Sequence, residues 1–554
     1  MKAANNKVLA NPKTRLETGL DYVKSSINLN TPYGKKKLKD INPFFPGDED
    51  SLKESLNDLE NMIYLVKNNT KKVNTLSEVL MEIKENTYTI KRCSTSTLSV
   101  VEIFEVKSLL LQMRSINGII SNIESKIPEK FLLNDTEGLL DELDPRGDRL
   151  NTFYIYDEFS EKLKELRKSK KEFEKQIRRV SKKKRDEIKE EFGLMLTPKF
   201  DIVVNKKSED YKIVKNIPDL EMLNEDYLSA TYVLKVQPEV YDIQQQVEEI
   251  NAEIEMEEAI IRENLSKVIS KYQDVLLDNC EKIGNIDFSI GKAQHAIKNK
   301  CVKPEIVNEH VVYYENARHL EVEDILKKKN SKYCPVSIQL KQGVSCITGA
   351  NMGGKTISLK LSGLIPIMAQ YGFYVPCENA KIGLSNYIQM LIGDSQSVVR
   401  GLSSFGSEME ELKEIFTRSK DRSLILIDEI ASGTNPIEGL ALTKSVVDYL
   451  LEKPYITLIT THFESVTANK AVKNFQVRGL AEADFSKLDS EIRYAKRLDR
   501  INIIQKYMDY RLTPIENQGE VPKDALNIAK MLGISSDIIE RAKEYISKEK
   551  KDGE

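Results

Sequence analysis

Apolar residues recur at helical spacing through most of the first 300 positions. Within residues 52–66 they return every three or four positions, the period of a helix that packs along one side. The same spacing continues over residues 159–192 and over residues 240–280, which are both longer than an ordinary globular helix. We therefore predict two long coiled-coil arms. The intervening residues 193–236 contain short strand-like runs and predict a small lobe at the tip of a helical hairpin.

The pattern changes near residue 306. Apolar runs of strand length at residues 344–348, 424–427 and 457–460 alternate there with segments of helical length. Such alternation predicts a mainly parallel sheet covered by helices. After about residue 501 the pattern returns to helix. The chain is thus expected to divide into four consecutive segments, with limits at 1–130, 131–305, 306–500 and 501–554.

Composition narrows the class of protein. The chain has 554 residues, more than a single core usually holds, and its net charge is only −3, so polyanion binding would need a local basic patch. No apolar run reaches the length of a membrane span, and the first residues lack the apolar core of a signal peptide. The six cysteines form no CxxC pair, which argues against disulfides or zinc. We expect a cytoplasmic protein with no membrane partner.

The two predicted arms differ in charge. Residues 162–185 carry 13 Lys and Arg against 3 Glu, whereas residues 248–258 carry 6 Glu. One interpretation is that the basic arm contacts a phosphate backbone. The other is a solvated helix face that is paired with the acidic arm. Both interpretations stay open, but aromatic residues are not interleaved with the basic ones, so stacking on single-stranded bases is not indicated.

A phosphate-binding loop stands out after the first buried strand. The sequence from Gly349 to Thr356, GANMGGKT, fits GxxxxGK[ST] and leads into an apolar helix. Backbone N–H groups of such a loop surround phosphates at the positive end of the helix. We expect Lys355 to reach the β and γ phosphates of ATP, and Thr356 to ligate Mg²⁺. The candidate ATP-binding residues here are Gly349, Asn351, Gly353, Gly354, Lys355, Thr356 and Ile357.

Two further strands end in candidate catalytic groups. Asp428 and Glu429 follow the strand at 424–427, where Asp428 would hold Mg²⁺ and Glu429 would act as general base toward the attacking water. His462 follows the strand at 457–460 and is placed as a sensor of the γ-phosphate. In isolation these could be a solvated acidic turn and a packed histidine. The phosphate loop upstream favours the catalytic interpretation.

A serine-rich segment, Ser403 and Ser404, precedes a predicted helix at 408–416. Small hydroxyl residues at a helix N-terminus bind anions well. The phosphates of the chain's own site are already surrounded by the phosphate loop. We therefore expect these serines to act on the γ-phosphate held by a partner subunit.

Across residues 306–480 the chain resembles the MutS family of ABC-class ATPases, and its motif sequences are most similar to those of the second MutS subfamily. The motifs that carry this resemblance are GANMGGKT, IGDSQS, GLSSFGSEM, LILIDEIASGTNPIEG and TTHFES. The resemblance implies a P-loop α/β ATPase domain at 306–500, preceded by a helical core at 1–130 and by lever and clamp helices at 131–305, and followed by a helical dimerisation segment at 501–554. It also implies ATP and Mg²⁺ between two subunits, Ser403 and Ser404 acting in trans, and Asn435 near the dimer seam. The partner would be an identical or a second MutS-like chain.

Two features that the family uses elsewhere are not expected here. The one FxE sequence, Phe159-Ser-Glu161, falls inside the first arm, where the Phe suits packing better than mismatch recognition. The printed sequence ends at Glu554 without room for the subfamily's nuclease domain. We therefore expect an ATPase that binds duplex or branched DNA without mismatch specificity. The alternative is an ATP-driven factor that reactivates a client protein, a cobalamin-dependent aminomutase.

Overall fold

A computed structural model provides the fold. It describes residues 8–123, 128–349, 354–392, 404–431, 434–466, 468–480, 484, 487–488, 491–492, 503, 507–515 and 524–552. Asn351, Gly353 and Ser403 lie outside the described residues, as does the IGDSQS motif after Ile392. Contacts divide the chain into two compact units, one of Met1–Ser77 with Gly284–Glu554 and one of Glu78–Ile283. The first unit is discontinuous in sequence, unlike the four consecutive segments of the prediction.

The α-helices are numbered in chain order. They are α1 Pro12–Glu17, α2 Leu20–Ser25, α3 Pro32–Lys39, α4 Glu49–Asn68, α5 Thr70–Met81, α6 Thr87–Arg92, α7 Val100–Ser121, α8 Glu137–Leu143, α9 Glu161–Phe192, α10 Glu209–Val214, α11 Pro238–Lys271, α12 Gln273–Lys298, α13 Leu320–Lys328, α14 Lys355–Gln370, α15 Ser404–Arg418, α16 Pro436–Leu451, α17 Asp524–Met531 and α18 Ser536–Asp552.

The β-strands are numbered in the same way. They are β1 Asp201–Asn205, β2 Leu220–Glu225, β3 Ser229–Leu234, β4 Glu305–Val307, β5 Val311–Ala317, β6 Val336–Lys341, β7 Gly343–Thr348, β8 Asn379–Gly383, β9 Tyr387–Ile392, β10 Ser423–Asp428, β11 Ile456–Thr460, β12 Lys473–Gly479 and β13 Asp509–Ile515. Helices and mixed sheets together confirm the predicted α/β character.

The principal sheet of the first unit has the order β13-β12-β7-β11-β10-β9. From β12 to β9 all neighbours are parallel, and β13 alone pairs antiparallel, with β12. The strands β7, β10 and β11 are almost wholly buried, as expected of strands covered on both faces. One apolar cluster joins β10 to Leu412 and Ile415 of α15 and to Val446 and Leu450 of α16. A second sheet, β4-β8-β5-β6, was not predicted from the sequence.

The second unit contains the long helices. α9 packs against α11, and the start of α9 lies beside the second half of α11, because Ser160 Oγ donates to Glu257 at 2.7 Å and Arg167 bonds Glu258 at 2.7 Å. The two helices therefore run antiparallel. Residues between them form the three-stranded sheet β1-β3-β2 with α10 and a small apolar core of their own. The predicted lobe is present, and its strand-like runs are part of this three-stranded sheet.

Two sequence predictions are wrong in detail. The helix expected over 240–280 is two helices, since α11 ends before Tyr272 and α12 begins at Gln273 and continues to Lys298. Residues 509–515, expected to be helical, form β13, because β12 supplies a backbone partner for this short strand. Within the described residues, no helix is both long and apolar enough to cross a membrane.

Candidate nucleotide site

Three of the predicted catalytic residues, Lys355, Glu429 and His462, meet at the carboxyl edge of the principal sheet. Strand β11 lies between β7 and β10, and in its register Thr460 is opposite both Ile347 and Asp428. The end of β7 therefore lies beside the end of β11, which in turn adjoins the end of β10. Because the carboxyl ends of parallel strands share one edge, residues that are far apart in sequence become neighbours.

A set of oxygen ligands forms the first half of the site. Thr356 Oγ1, in the first turn of α14, donates to Asp428 Oδ2 at 2.8 Å. Thr460 Oγ1 donates to the other carboxylate oxygen of Asp428. Two hydroxyl groups thus fix the Asp428 carboxylate beside the first turn of α14. Hard oxygen donors of this kind suit Mg²⁺, which usually takes few protein ligands and completes its shell with phosphate and water.

Three charged or titratable groups form the second half. Glu429 Oε1 lies 3.3 Å from Lys355 Nζ and 2.7 Å from His462 Nε2, and Lys355 Nζ lies 3.3 Å from His462 Nδ1. The hydrogen bond from His462, helped by the Lys355 charge, holds the pKa of Glu429 below its usual value although burial opposes this. Burial lowers the pKa of Lys355, and the Glu429 carboxylate counters it. The candidate base is therefore a carboxylate at neutral pH.

The backbone around these groups is unusual. Glu429 has φ +54° and Ala431 has φ +59°, in the left-handed region that side chains with a Cβ rarely adopt. The Glu429 N–H donates to the Thr460 carbonyl at 3.1 Å and to its hydroxyl at 3.2 Å, which holds the strained turn in place. Gly354, at φ +80°, caps α14 where a side chain would meet the Tyr510 ring. Such strain is concentrated at functional sites.

The structure describes the remaining predicted residues only in part. Gly349 ends β7 at φ +126°, and Ile357 lies half-buried in the first turn of α14. Asn435 is exposed and caps α16 by accepting from the Ile437 N–H at 2.9 Å, so the structure gives it a helix-capping contact. Ser404 begins α15, but its side chain, like Ser403, lies outside the described part.

Two contacts at the site were missed from the sequence. Thr460 bonds both Asp428 and the Glu429 backbone, and its position opposite Asp428 could have been found by aligning the two buried strands in parallel. Glu408 accepts a hydrogen bond from the Ala431 N–H at 2.7 Å. No sequence signal distinguished Glu408 from the exposed acidic residues that follow it on α15.

A buried strand, a phosphate loop, a helix that starts with Lys and Thr, and an acidic pair on a neighbouring strand are the arrangement of nucleotide-binding α/β proteins. Residues 345–549 match the family model for MutS domain V. Together with the relatives described next, this match confirms the predicted resemblance to the MutS ATPases and to their second subfamily.

The relatives extend the similarity beyond that domain. Endonuclease MutS2 of Fusobacterium nucleatum is 33% identical over 300 residues, which cover 52% of this chain and 35% of that protein. Endonuclease MutS2 of Pediococcus pentosaceus is 27% identical over 551 residues, 96% of this chain and 64% of the relative. DNA mismatch repair protein MutS of Salinibacter ruber is 28% identical over 344 residues, 58% and 34% respectively. The chain thus spans between about a third and two-thirds of the length of these relatives.

Proposed function

We propose that this chain is a dimeric ATPase that couples the binding and hydrolysis of MgATP to movement of the α9–α11 arm on DNA. The observation that supports it most is the cluster at the sheet edge. There Thr356, Asp428 and Thr460 form an oxygen site beside Lys355, Glu429 and His462. These positions suit the roles that we propose for the residues in phosphoryl transfer.

The oxygen site fits a nucleotide-bound cation. Within the described ranges, no group of three or more His, Cys, Asp or Glu could hold a metal by itself. A cation at Thr356 and Asp428 would therefore take its other ligands from phosphate and water, as Mg²⁺ does in nucleotide sites. When bound, MgATP supplies the scissile bond and the cation that neutralises its charge. Thr460 would keep Asp428 oriented toward that cation.

The second cluster indicates how the base is controlled. Glu429 is held by Lys355 and His462, and its carboxylate lies in the region where Lys355 would meet the γ-phosphate. Binding of the γ-phosphate by Lys355 would release Glu429 to accept a proton from the attacking water. His462, exposed on one side, would then contact the phosphate. The chain's base is thus available only once its substrate is in place.

Dimerisation would complete the site. α15 begins at Ser404, and we propose that Ser403 and Ser404 reach the γ-phosphate in the partner subunit, with Asn435 near the seam. Helix N-termini stabilise anions through their free N–H groups and dipole. Each nucleotide would then be bound by one chain's phosphate loop and by the other's α15. The partner in this dimer is either an identical chain or a second MutS-like protein.

Phosphate release at saturating MgATP tests the ATPase proposal. We expect turnover by the unaltered chain and a loss of roughly 100-fold in Asp428→Asn, because the cation loses its charged ligand. A matched change, Asp40→Asn, removes one exposed carboxylate at the end of α3 and should leave turnover intact. An unaltered chain that releases no phosphate above background would overturn the proposal.

The basic residues of α9 support DNA as the molecule on which the α9–α11 arm acts. Along α9, which is described throughout, Lys168, Lys171, Arg178 and Lys182 are exposed and make no ion pair with described residues. They lie on one helical face about 21 Å long, given 1.5 Å per residue. Pairing with the acidic arm is confined to the start of α9, where Lys162 and Arg167 meet Glu257 and Glu258. The face formed by these four residues is therefore free to contact phosphates.

Measurements of DNA binding at several salt concentrations test the proposed contact between α9 and DNA. Filter binding to duplex and branched DNA should show an affinity that falls steeply with salt. Lys171→Glu/Arg178→Glu should weaken binding roughly tenfold and reduce the slope of log affinity against log salt by about 2. Lys36→Glu/Lys39→Glu makes the same charge change on exposed positions of α3 and serves as the control. Equal affinities for the two variants would exclude α9 as the DNA surface.

The relatives reported above are named Endonuclease MutS2 and DNA mismatch repair protein MutS. None of these names supports the alternative of a factor that reactivates a cobalamin-dependent aminomutase, and no geometry of the described residues favours it. We therefore retain DNA as the proposed partner.

A further inference from the structure

Glu408 is a buried carboxylate for which the proposed mechanism has no use. It lies in the second turn of α15 and is 8% exposed, unlike Glu410 of the same helix, which faces solvent. Burial raises the pKa of the Glu408 carboxyl, opposed by the hydrogen bond that it accepts from Ala431. A buried acidic group is expensive unless it is bonded, so its retention calls for a specific partner. That partner is the Ala431 N–H, at 2.7 Å from Oε1.

The bonded N–H belongs to the turn that carries the candidate base. Glu429 and Ala431 both have left-handed backbone angles, and Ile430 between them is buried in the apolar cluster of β10 and α15. Thr460 holds this turn at the Glu429 N–H, and Glu408 holds it two residues later. The carbonyl oxygen of Ala431 lies close to Gly439, where a Cβ atom added to the glycine would be 3.1 Å from that oxygen. The position of Glu429 is thus fixed by contacts on both sides.

We propose that Glu408 is a positioning residue that transmits the position of α15 to the general base Glu429. The inference rests on the proposed function, since it assigns Glu408 a part in the same hydrolysis. α15 is also the helix whose start, at Ser404, is proposed to meet the partner's γ-phosphate. A displacement of α15 on nucleotide binding by the partner would move Glu408, and through the Ala431 N–H the turn that carries Glu429. Hydrolysis in one site would then depend on occupancy of the other.

Two variants of nearly equal side-chain size separate positioning from packing. Glu408→Gln keeps an oxygen that can accept the Ala431 N–H, whereas Glu408→Met fills the space without an acceptor. We expect Glu408→Met to lower kcat roughly 10- to 100-fold with KM within about twofold of the unaltered chain, because small displacements of a catalytic group have effects of this size. Glu408→Gln should restore kcat to within about threefold. Glu410→Met is the control on the exposed face of the same helix.

A second measurement follows the hydrogen bond between Glu408 and the Ala431 N–H directly. Hydrogen exchange of the Ala431 amide should be slow in the unaltered chain and in Glu408→Gln, and faster in Glu408→Met. Circular dichroism and thermal melting establish that each variant folds. Should Glu408→Met fail to fold, Glu408→Ala takes its place with the same readouts, and Glu408→Gln remains informative in either case.

The outcomes are distinct. A Glu408→Met chain with unaltered kcat, a rise in KM alone, or equal losses of kcat in the Met and Gln variants would each overturn the positioning role. Failure of the proposed function would appear differently, as no phosphate release by the unaltered chain. The predicted result is a fall in kcat that Gln rescues, with amide exchange at Ala431 changing in parallel.

Discussion

The ion pair between Glu429 and Lys355 predicts that a neutral residue at position 429 tightens ATP binding while it abolishes turnover. The two charges are 3.3 Å apart, and Lys355 is 4% exposed whereas Glu429 is 31% exposed. At an effective dielectric constant of about 20, Coulomb's law gives roughly 5 kcal/mol for such a pair. The Glu429 carboxylate regains hydration when it leaves Lys355, which offsets most of this energy. We expect a net change of about 1–2 kcal/mol.

That energy corresponds to an ATP affinity roughly 5- to 30-fold higher in Glu429→Gln, because 1.4 kcal/mol is about tenfold. The physical reason is competition: the γ-phosphate no longer has to displace a carboxylate from Lys355, nor does it approach a like charge. Loss of the general base should at the same time slow hydrolysis by roughly 100- to 10,000-fold. Equilibrium dialysis with labelled ATP and Mg²⁺ measures affinity, and single-turnover phosphate release measures the chemical step.

Glu54→Gln is the control for the change in net charge, since Glu54 is exposed on α4. It should leave both quantities unaltered. If Glu429→Gln binds ATP no more tightly than the unaltered chain, the carboxylate does not compete with the γ-phosphate and the proposed release of the base is refuted.

Three further predictions concern other parts of the chain. Lys107 and Asp144 form an ion pair with side chains only 1% and 2% exposed, so Lys107→Met should destabilise folding by about 3–5 kcal/mol in urea titrations, and Lys107→Met/Asp144→Asn should recover most of the loss. Burial alone would raise the pKa of Asp144, but hydrogen bonds from Arg149 and Lys107 outweigh burial and lower this pKa. The stability that the pair contributes should therefore be complete above the ordinary pKa of 3.8 and be lost as the pH falls through the lowered pKa. A stability difference between the unaltered chain and Lys107→Met that does not change with pH would count against this reasoning. Thr460→Val should raise the Mg²⁺ concentration needed for turnover roughly 10-fold, since Asp428 loses a hydroxyl partner, and an unchanged Mg²⁺ requirement would speak against that role.

The candidate nucleotide site at the carboxyl edge of the principal sheet could be predicted because the sequence patterns that indicate it are local. Each of β7, β10 and β11 is a buried and mostly apolar run, and the functional side chains follow directly where the run ends. Parallel strands bring such ends together whatever the intervening sequence. The long helices α9 and α11 were equally visible, since an uninterrupted stripe of three- and four-residue spacing has no other common explanation.

The misses have two causes, which are partners that lie far away in sequence and an apolar pattern that does not change where a helix is interrupted. The apolar stripe of α11 continues without a break into α12, so the interruption at Tyr272 leaves no mark on the pattern. β13 is short, half polar and contains Pro514, which suits an edge strand but gives no strand signal without β12 beside it. Glu408 reads as an ordinary surface residue until the Ala431 N–H is placed against it.

The most direct test of the central claim compares the unaltered chain with Glu429→Ala at saturating MgATP, following phosphate release and molecular mass in the same sample. We expect the unaltered chain to release phosphate continuously and Glu429→Ala to bind ATP without releasing it, accumulating at the mass of a dimer. Equal phosphate release by the two proteins would contradict the assignment of Glu429 as the base. A Glu429→Ala chain that binds ATP but stays at the mass of one chain would contradict the shared site.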